Sequence, residues 1–85
     1  MDRDLARKIV GSPNNALLVM VEDGLRLAST FRLPLGTEED CGGTRRGEIE
    51  TLLKYYYQVS SVSEVIGISD RGSPLYSREL IIRRT

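Results

Sequence analysis

Apolar positions fall into short stretches punctuated by glycine, proline and acidic residues, and their spacing shifts between the helical and the alternating period along the chain. Over residues 2–10, Leu5 and Ile9 sit one turn apart, acids come first, bases follow, and Gly11 stands after the end; this predicts a short helix terminated by glycine. Ser12-Pro13-Asn14-Asn15 is turn chemistry, because proline presets one backbone angle and asparagine tolerates left-handed geometry. Residues 16–21 are continuously apolar, as in a strand covered on both faces, and Asp23-Gly24 suits the two positive-φ positions of a type I′ hairpin turn. Residues 25–32 alternate Leu25, Leu27, Ser29 and Phe31 with Arg26, Ala28, Thr30 and Arg32, which predicts the return strand.

Residues 33–43 carry Pro34, Gly36, the acidic run Glu38-Glu39-Asp40 and Gly42-Gly43, and read as a long irregular connection. Thr44 then suits the cap of a helix reaching to about Ser60, with Ile49, Leu52, Leu53 and Tyr56 on one face. That spacing divides Tyr55, Tyr56 and Tyr57 around the helix. Residues 63–69 read as a third strand, 70–73 as a turn and 75–83 as a fourth strand, with Pro74 at its start.

The expected order is α-β-β-α-β-β in a single domain over residues 1–85. Helix stripes and sheet faces must cover one another, so the fold class is α+β: a mostly antiparallel sheet with two helices on one face. The expected core is Leu5, Ile9, Leu18, Met20, Leu27, Phe31, Ile49, Leu52, Leu53, Tyr56, Ile66, Ile68, Leu80 and Ile82.

Composition narrows the chemistry. The chain has no histidine and one cysteine, which excludes Ser-His-Asp and Cys-His nucleophile arrangements and ordinary zinc sites. Nothing pairs a nucleophile with a base or cradles a phosphate, so no enzyme is expected. Twelve basic and twelve acidic side chains balance, and the broad positive field of a nucleic-acid binder is not expected. Tyr55, Tyr56 and Tyr57 with Arg45, Arg46 and Lys54 could stack on single-stranded RNA, but their helical spacing places them as core and flank. No apolar run approaches the roughly 20 residues of a membrane span. With Cys41 unable to form an internal disulfide, the expected location is cytoplasmic.

The expected topology has a consequence for the acidic residues. Each helix start and each Asp-Gly turn would lie at the same end of the sheet, gathering Asp2, Asp4, Asp23 and Asp70 there. Residues 33–43 can span up to about 36 Å, more than the roughly 23 Å of a seven-residue strand, so they could deliver Glu38, Glu39 and Asp40 to the same end. Such a pole suits a hard divalent cation, Ca²⁺ above all, because calcium accepts six to eight oxygens from flexible carboxylates and carbonyls. The loop lacks the EF-hand spacing, so the expected affinity is weak, roughly 10⁻⁴ to 10⁻³ M. Each acid also has a structural use: Asp2 suits a helix N-terminus, and Asp23 and Asp70 suit turns.

Two resemblances accompany this reading. The stretch Ala-Leu-Leu-Val-Met-Val-Glu-Asp-Gly-Leu-Arg-Leu-Ala-Ser, residues 16–29, resembles the central hairpin of roadblock (dynein light chain-like) domains. That resemblance implies a protein-interaction module, pairing through a sheet face or the edge of the hairpin without a metal. Over its whole length the chain resembles small single-domain archaeal proteins of thermophilic methanogens, with an α+β fold and an association with calcium binding. The ten Arg to two Lys agree with that likeness. It implies a calcium-binding protein; the gathering of acids expected above, not the likeness, nominates Glu38, Glu39 and Asp40 as first ligands and Asp23, Asp70 and Asp2 as second choices.

Overall fold

The computed structural model describes residues 3–37 and 44–85. The elements are α1 (Arg3–Val10), α2 (Asn14–Leu27), β1 (Thr30–Gly36), α3 (Arg45–Tyr56), β2 (Gln58–Ile68) and β3 (Pro74–Arg83). The fold is α+β, with helices packed against an antiparallel sheet of strand order β1-β3-β2.

The first half differs from the expected hairpin. Residues 14–27, including the stretch that resembles the roadblock hairpin, form one helix rather than two strands. The apolar run contains Leu17, Val21 and Leu25 at spacings of four, and these three are the residues the helix buries. Of the alternation read over residues 25–32, Leu25 to Leu27 end this helical stripe, whereas Thr30 to Arg32 do lie in a strand, β1. Pro13 precedes the helix with φ −71°, and its carbonyl accepts the Leu17 N–H at 3.1 Å, a position where a missing donor costs nothing. Gly24 serves close approach rather than turning: a Cβ there would lie 2.2 Å from Cδ1 of Phe31. The chain leaves α2 through Ala28, in extended conformation, and enters β1 two residues later.

β1 therefore occupies part of the stretch expected to be loop. It carries Pro34 without penalty because it is an edge strand, and its register shifts between Pro34 and Gly36, where Gly36 has φ 75°. α3 ends at Tyr56 rather than near Ser60, and β2 starts at once from Gln58. The last turn forms where the sequence indicated: Ser69 N–H donates to the Ser73 carbonyl at 2.8 Å, and Gly72 takes φ 80°.

One core lies between the helices and one sheet face. It joins Ile9 and Val10 of α1, Leu17, Val21 and Leu25 of α2, and Ile49 and Leu53 of α3 to Leu33, Leu35, Leu80 and Ile82 of the sheet, with Tyr57 beside them. Ile9, Ile49, Leu53, Leu80 and Ile82 are buried as expected; Leu18, Met20 and Phe31 pack at the margin. Leu27 is 92% exposed because it falls on the outer side of a helix instead of the inner side of a strand. Ile66 and Ile68 are exposed as well. No helix among the described residues is long and apolar enough to cross a membrane.

Arg45 ties the helical layer together. Its guanidinium donates to the carbonyls of Val10 at 3.2 Å and Ser12 at 2.7 Å and to Asn14 Oδ1 at 2.8 Å. The first two are carbonyls that the end of α1 and its following turn would otherwise leave to water.

Candidate interaction surface

The two strand pairings have different lengths, and the difference creates the most unusual surface of the molecule. β1 follows β3 only as far as the Gly36↔Arg78 row. β2 and β3 continue through Glu64↔Ser77, Val65↔Tyr76, Gly67↔Leu75 and Ile68↔Pro74 before the turn at residues 69–73. The continuation is a two-stranded arm whose five β2 residues extend about 17 Å past the end of β1. It is the reason the molecule measures 41 × 22 × 20 Å.

Alternation assigns the faces of this arm. Val59, Ser61, Ser63 and Val65 share a face with Ile82, Leu80, Arg78 and Tyr76, the face that carries the core nearer the body. Past Ser63 no described helix covers that face. Val65 is 55% exposed, Tyr76 54% and Ile68 75%, so apolar groups that would be core in a covered sheet lie open. The register shift between Val65 and Gly67 inserts Ile66, which is exposed too.

The outer edge of β2 is equally open. Of its eleven residues only Glu64 is charged, none is proline, and no described strand pairs with its second edge. Edge strands are ordinarily guarded by charges, proline, shortness, a bulge or cover; over a length of about 36 Å, β2 has one charge, Glu64, and one irregularity, at Ile66.

Where the arm meets the body, a cleft of ≈ 380 Å³ is lined by Arg46, Ser63, Pro74, Leu75, Tyr76 and Arg78. Arg46 donates to the Gly36 carbonyl at 3.1 Å, while Glu50 lies 3.1 Å from Lys54 and 4.0 Å from Arg78. These pairs anchor the start of α3 to the row at which β1 stops.

A polar cluster closes the opposite end of the sheet. The Tyr57 hydroxyl donates to Glu22 Oε1 in a short hydrogen bond, and Arg84 meets Glu22 Oε2 at 3.1 Å. Burial, followed by the bond to Glu22, pushes the Tyr57 hydroxyl up to about 12; the bond from Tyr57, then that from Arg84, holds the Glu22 carboxyl below its usual value. The cluster fastens the end of the chain to α2.

The expected acidic pole is not assembled by the residues that can be placed. Asp23 lies beside Glu22 at the Tyr57 end and pairs with Arg26 at 3.4 Å. Asp70 lies in the turn at the tip of the arm, the length of β2 away, about 36 Å. The helical course of residues 14–27 is the cause, for Asp23 never reaches a hairpin tip. Glu38, Glu39, Asp40, Asp2 and Cys41 lie outside the described residues. Among the described residues no three Cys, Asp or Glu side chains gather as metal ligands. Of the groups considered for RNA stacking, Arg45 and Arg46 are engaged within the chain and Tyr57 is buried, while Tyr55, Tyr56 and Lys54, the last paired with Glu50, remain outside.

Sequence reasoning placed the last hairpin but not its projection. The available signal was the pairing of a charge-poor strand, Gln-Val-Ser-Ser-Val-Ser-Glu-Val-Ile-Gly-Ile, with one whose core residues stop at Leu80. Comparison with known proteins finds no matching family model, no similar curated protein and no similar solved structure.

Proposed function

We propose that the chain is a non-enzymatic protein-interaction module whose working surface is the β2–β3 arm. The observation that supports it is the coincidence on one arm of a lightly guarded edge strand and exposed Val65, Ile66, Ile68 and Tyr76. An open edge supplies main-chain donors and acceptors for an added strand, and alternate apolar side chains supply the rest of the binding energy.

A synthetic peptide with the sequence of residues 58–68 is a direct probe. At low protein concentration its addition should shift the amide resonances of β2 and of the arm, and a version with proline at its centre should not. Shifts confined to the body, or none at millimolar peptide, would remove the reading.

A separate calcium proposal is confined to Glu38, Glu39 and Asp40, since Asp23 and Asp70 are too far apart to share one ion. Its support is the consecutive acidic run itself. Titration with CaCl₂ tests it: displaced amide resonances over residues 38–43 at millimolar ion are expected, and their constancy at several millimolar removes it.

A further inference from the structure

We propose that the cleft where the arm meets the body binds a small organic phosphate, a phosphate monoester carried on an aromatic or apolar body. The cleft is separate from the open edge of β2, so this inference goes beyond the interaction reading and does not rest on it. Its volume of ≈ 380 Å³ falls within the roughly 300–1,000 Å³ of small-molecule sites.

One row of the sheet and the start of α3 bring the polar groups together. Arg78 is the register partner of Ser63 on one side and of Gly36 on the other. Ser63 and Arg78 therefore stand beside each other, roughly 5 Å apart at Cβ. Tyr76 lies two residues further along β3 on the same face, roughly 7 Å away. Arg46 comes from the first turn of α3, and its bond to the Gly36 carbonyl at 3.1 Å ties its guanidinium to this same row. Two guanidiniums and two hydroxyls thus line one cleft, and among the described residues no carboxylate lines it with them. Glu50 stands 4.0 Å from Arg78 Nη1, beyond hydrogen-bond reach, and makes its shorter contact, 3.1 Å, with Lys54. Like charges lining one cleft repel, and an anion seated between them removes that cost.

The donor set selects phosphate. A guanidinium fork matches carboxylate and phosphate oxygens alike, but a carboxylate brings two oxygens and a single charge. A phosphate monoester brings three oxygens and a charge of about −1.5 to −2 at pH 7, which answers two arginines and leaves an acceptor for the hydroxyl of Ser63 or Tyr76. Pro74, Leu75 and the partly exposed ring of Tyr76 form the apolar side of the cleft. They precede Arg78 along β3, so the body of the ligand lies toward the tip of the arm and its phosphate toward the Arg78 row.

Titrations of the full chain followed by amide resonances, with circular dichroism to verify that variants fold, test the inference. Phenyl phosphate should shift Arg46, Ser63, Tyr76 and Arg78 saturably at roughly millimolar concentration or below, and less as salt is raised. Benzoate, which has the ring and one charge, and inorganic phosphate, which has the charge and no ring, should each bind about tenfold more weakly. Arg78→Gln removes one fork and should weaken phenyl phosphate about tenfold or more, with Arg78→Lys recovering only part. Tyr76→Ala, at an exposed position, should reduce the advantage of phenyl phosphate over inorganic phosphate, and decides the matter if Arg78→Gln does not fold. Unmoved resonances at about 10 mM phenyl phosphate, or an affinity that neither position alters, would overturn the proposal. Benzoate binding as tightly as phenyl phosphate overturns the choice of phosphate, and a phosphotyrosine peptide binding more than about tenfold tighter overturns the choice of a small molecule.

Discussion

Replacing Gly24 by alanine separates two readings of that residue, a hairpin turn and a point of close approach. In an exposed helix interior, glycine to alanine stabilises by about 1 kcal/mol, and Gly47 in α3, where an added Cβ meets nothing within 4 Å, should show that gain. At Gly24 the added Cβ would lie 2.2, 2.7 and 2.8 Å from three carbons of the Phe31 ring. Ordinary carbon contacts are about 3.5–4.0 Å, so the ring must retreat by more than about 1 Å from the helix. Phe31 is half-buried against the core, and inserting extra volume at a packed site costs about 1–3 kcal/mol; three contacts all below 3.0 Å put this site in the upper part of that range, about 2–3 kcal/mol. Set against the helix gain, Gly24→Ala should destabilise by about 1–2 kcal/mol, which for a domain of this size lowers Tm by about 4–15 °C. Urea and thermal unfolding of Gly24→Ala, Phe31→Ala and the double variant complete the cycle. With Phe31 removed, Gly24→Ala should change sign and stabilise by about 1 kcal/mol, a coupling of about 2–3 kcal/mol. A Gly24→Ala protein at least as stable as the parent, or a cost that survives removal of Phe31, would refute the close-approach argument.

Other consequences can be measured on the same protein. Because the folded Tyr57 hydroxyl is raised from 10.0 to about 12, its contribution is present below pH 10 and is lost as pH rises toward 12; the difference in urea midpoint between the parent and Tyr57→Phe should shrink between pH 9 and pH 12. Glu22 is shifted the other way, so its contribution is present above its ordinary 4.5 and fades as pH falls below it, which a parallel Glu22→Gln titration should show. Arg45→Met leaves two carbonyls and Asn14 without their donor and should cost about 2–3 kcal/mol, with Arg45→Lys recovering only part because an ammonium cannot reproduce the planar fork. Leu53→Ala opens a hole under α3 and should cost about 2–5 kcal/mol, against less than about 1 kcal/mol for Ile68→Ala on the exposed arm.

Local chemistry carried much of the fold. The α+β class, the helix ended at Gly11, the helix over Ile49 and Leu53, and the Asp70–Ser73 turn with its two strands follow from spacing and turn residues that leave one low-energy arrangement each. That the three tyrosines divide was legible, but not which one goes inside: Tyr56, expected in the core, is exposed, and Tyr57, which follows the helix in extended conformation, is the buried one. Residues 14–27 were different, because a run of consecutive apolar residues satisfies a buried strand and a helix stripe equally, and Asp23-Gly24 fits a turn in one and a ring-sized gap in the other. Only packing against Phe31 and the sheet decides between them.

The same boundary divides the candidate sites. Sequence alone supplied which side chains exist, and so removed imidazole catalysis and ordinary zinc sites from consideration. It could not tell that Asp23 and Asp70 stand at opposite ends, nor that β1 stops a strand's length short of its neighbours, since both depend on register between segments distant along the chain. The exposed arm exists because three strands of unequal length share one sheet, and inequality of length becomes a surface only once the strands are paired.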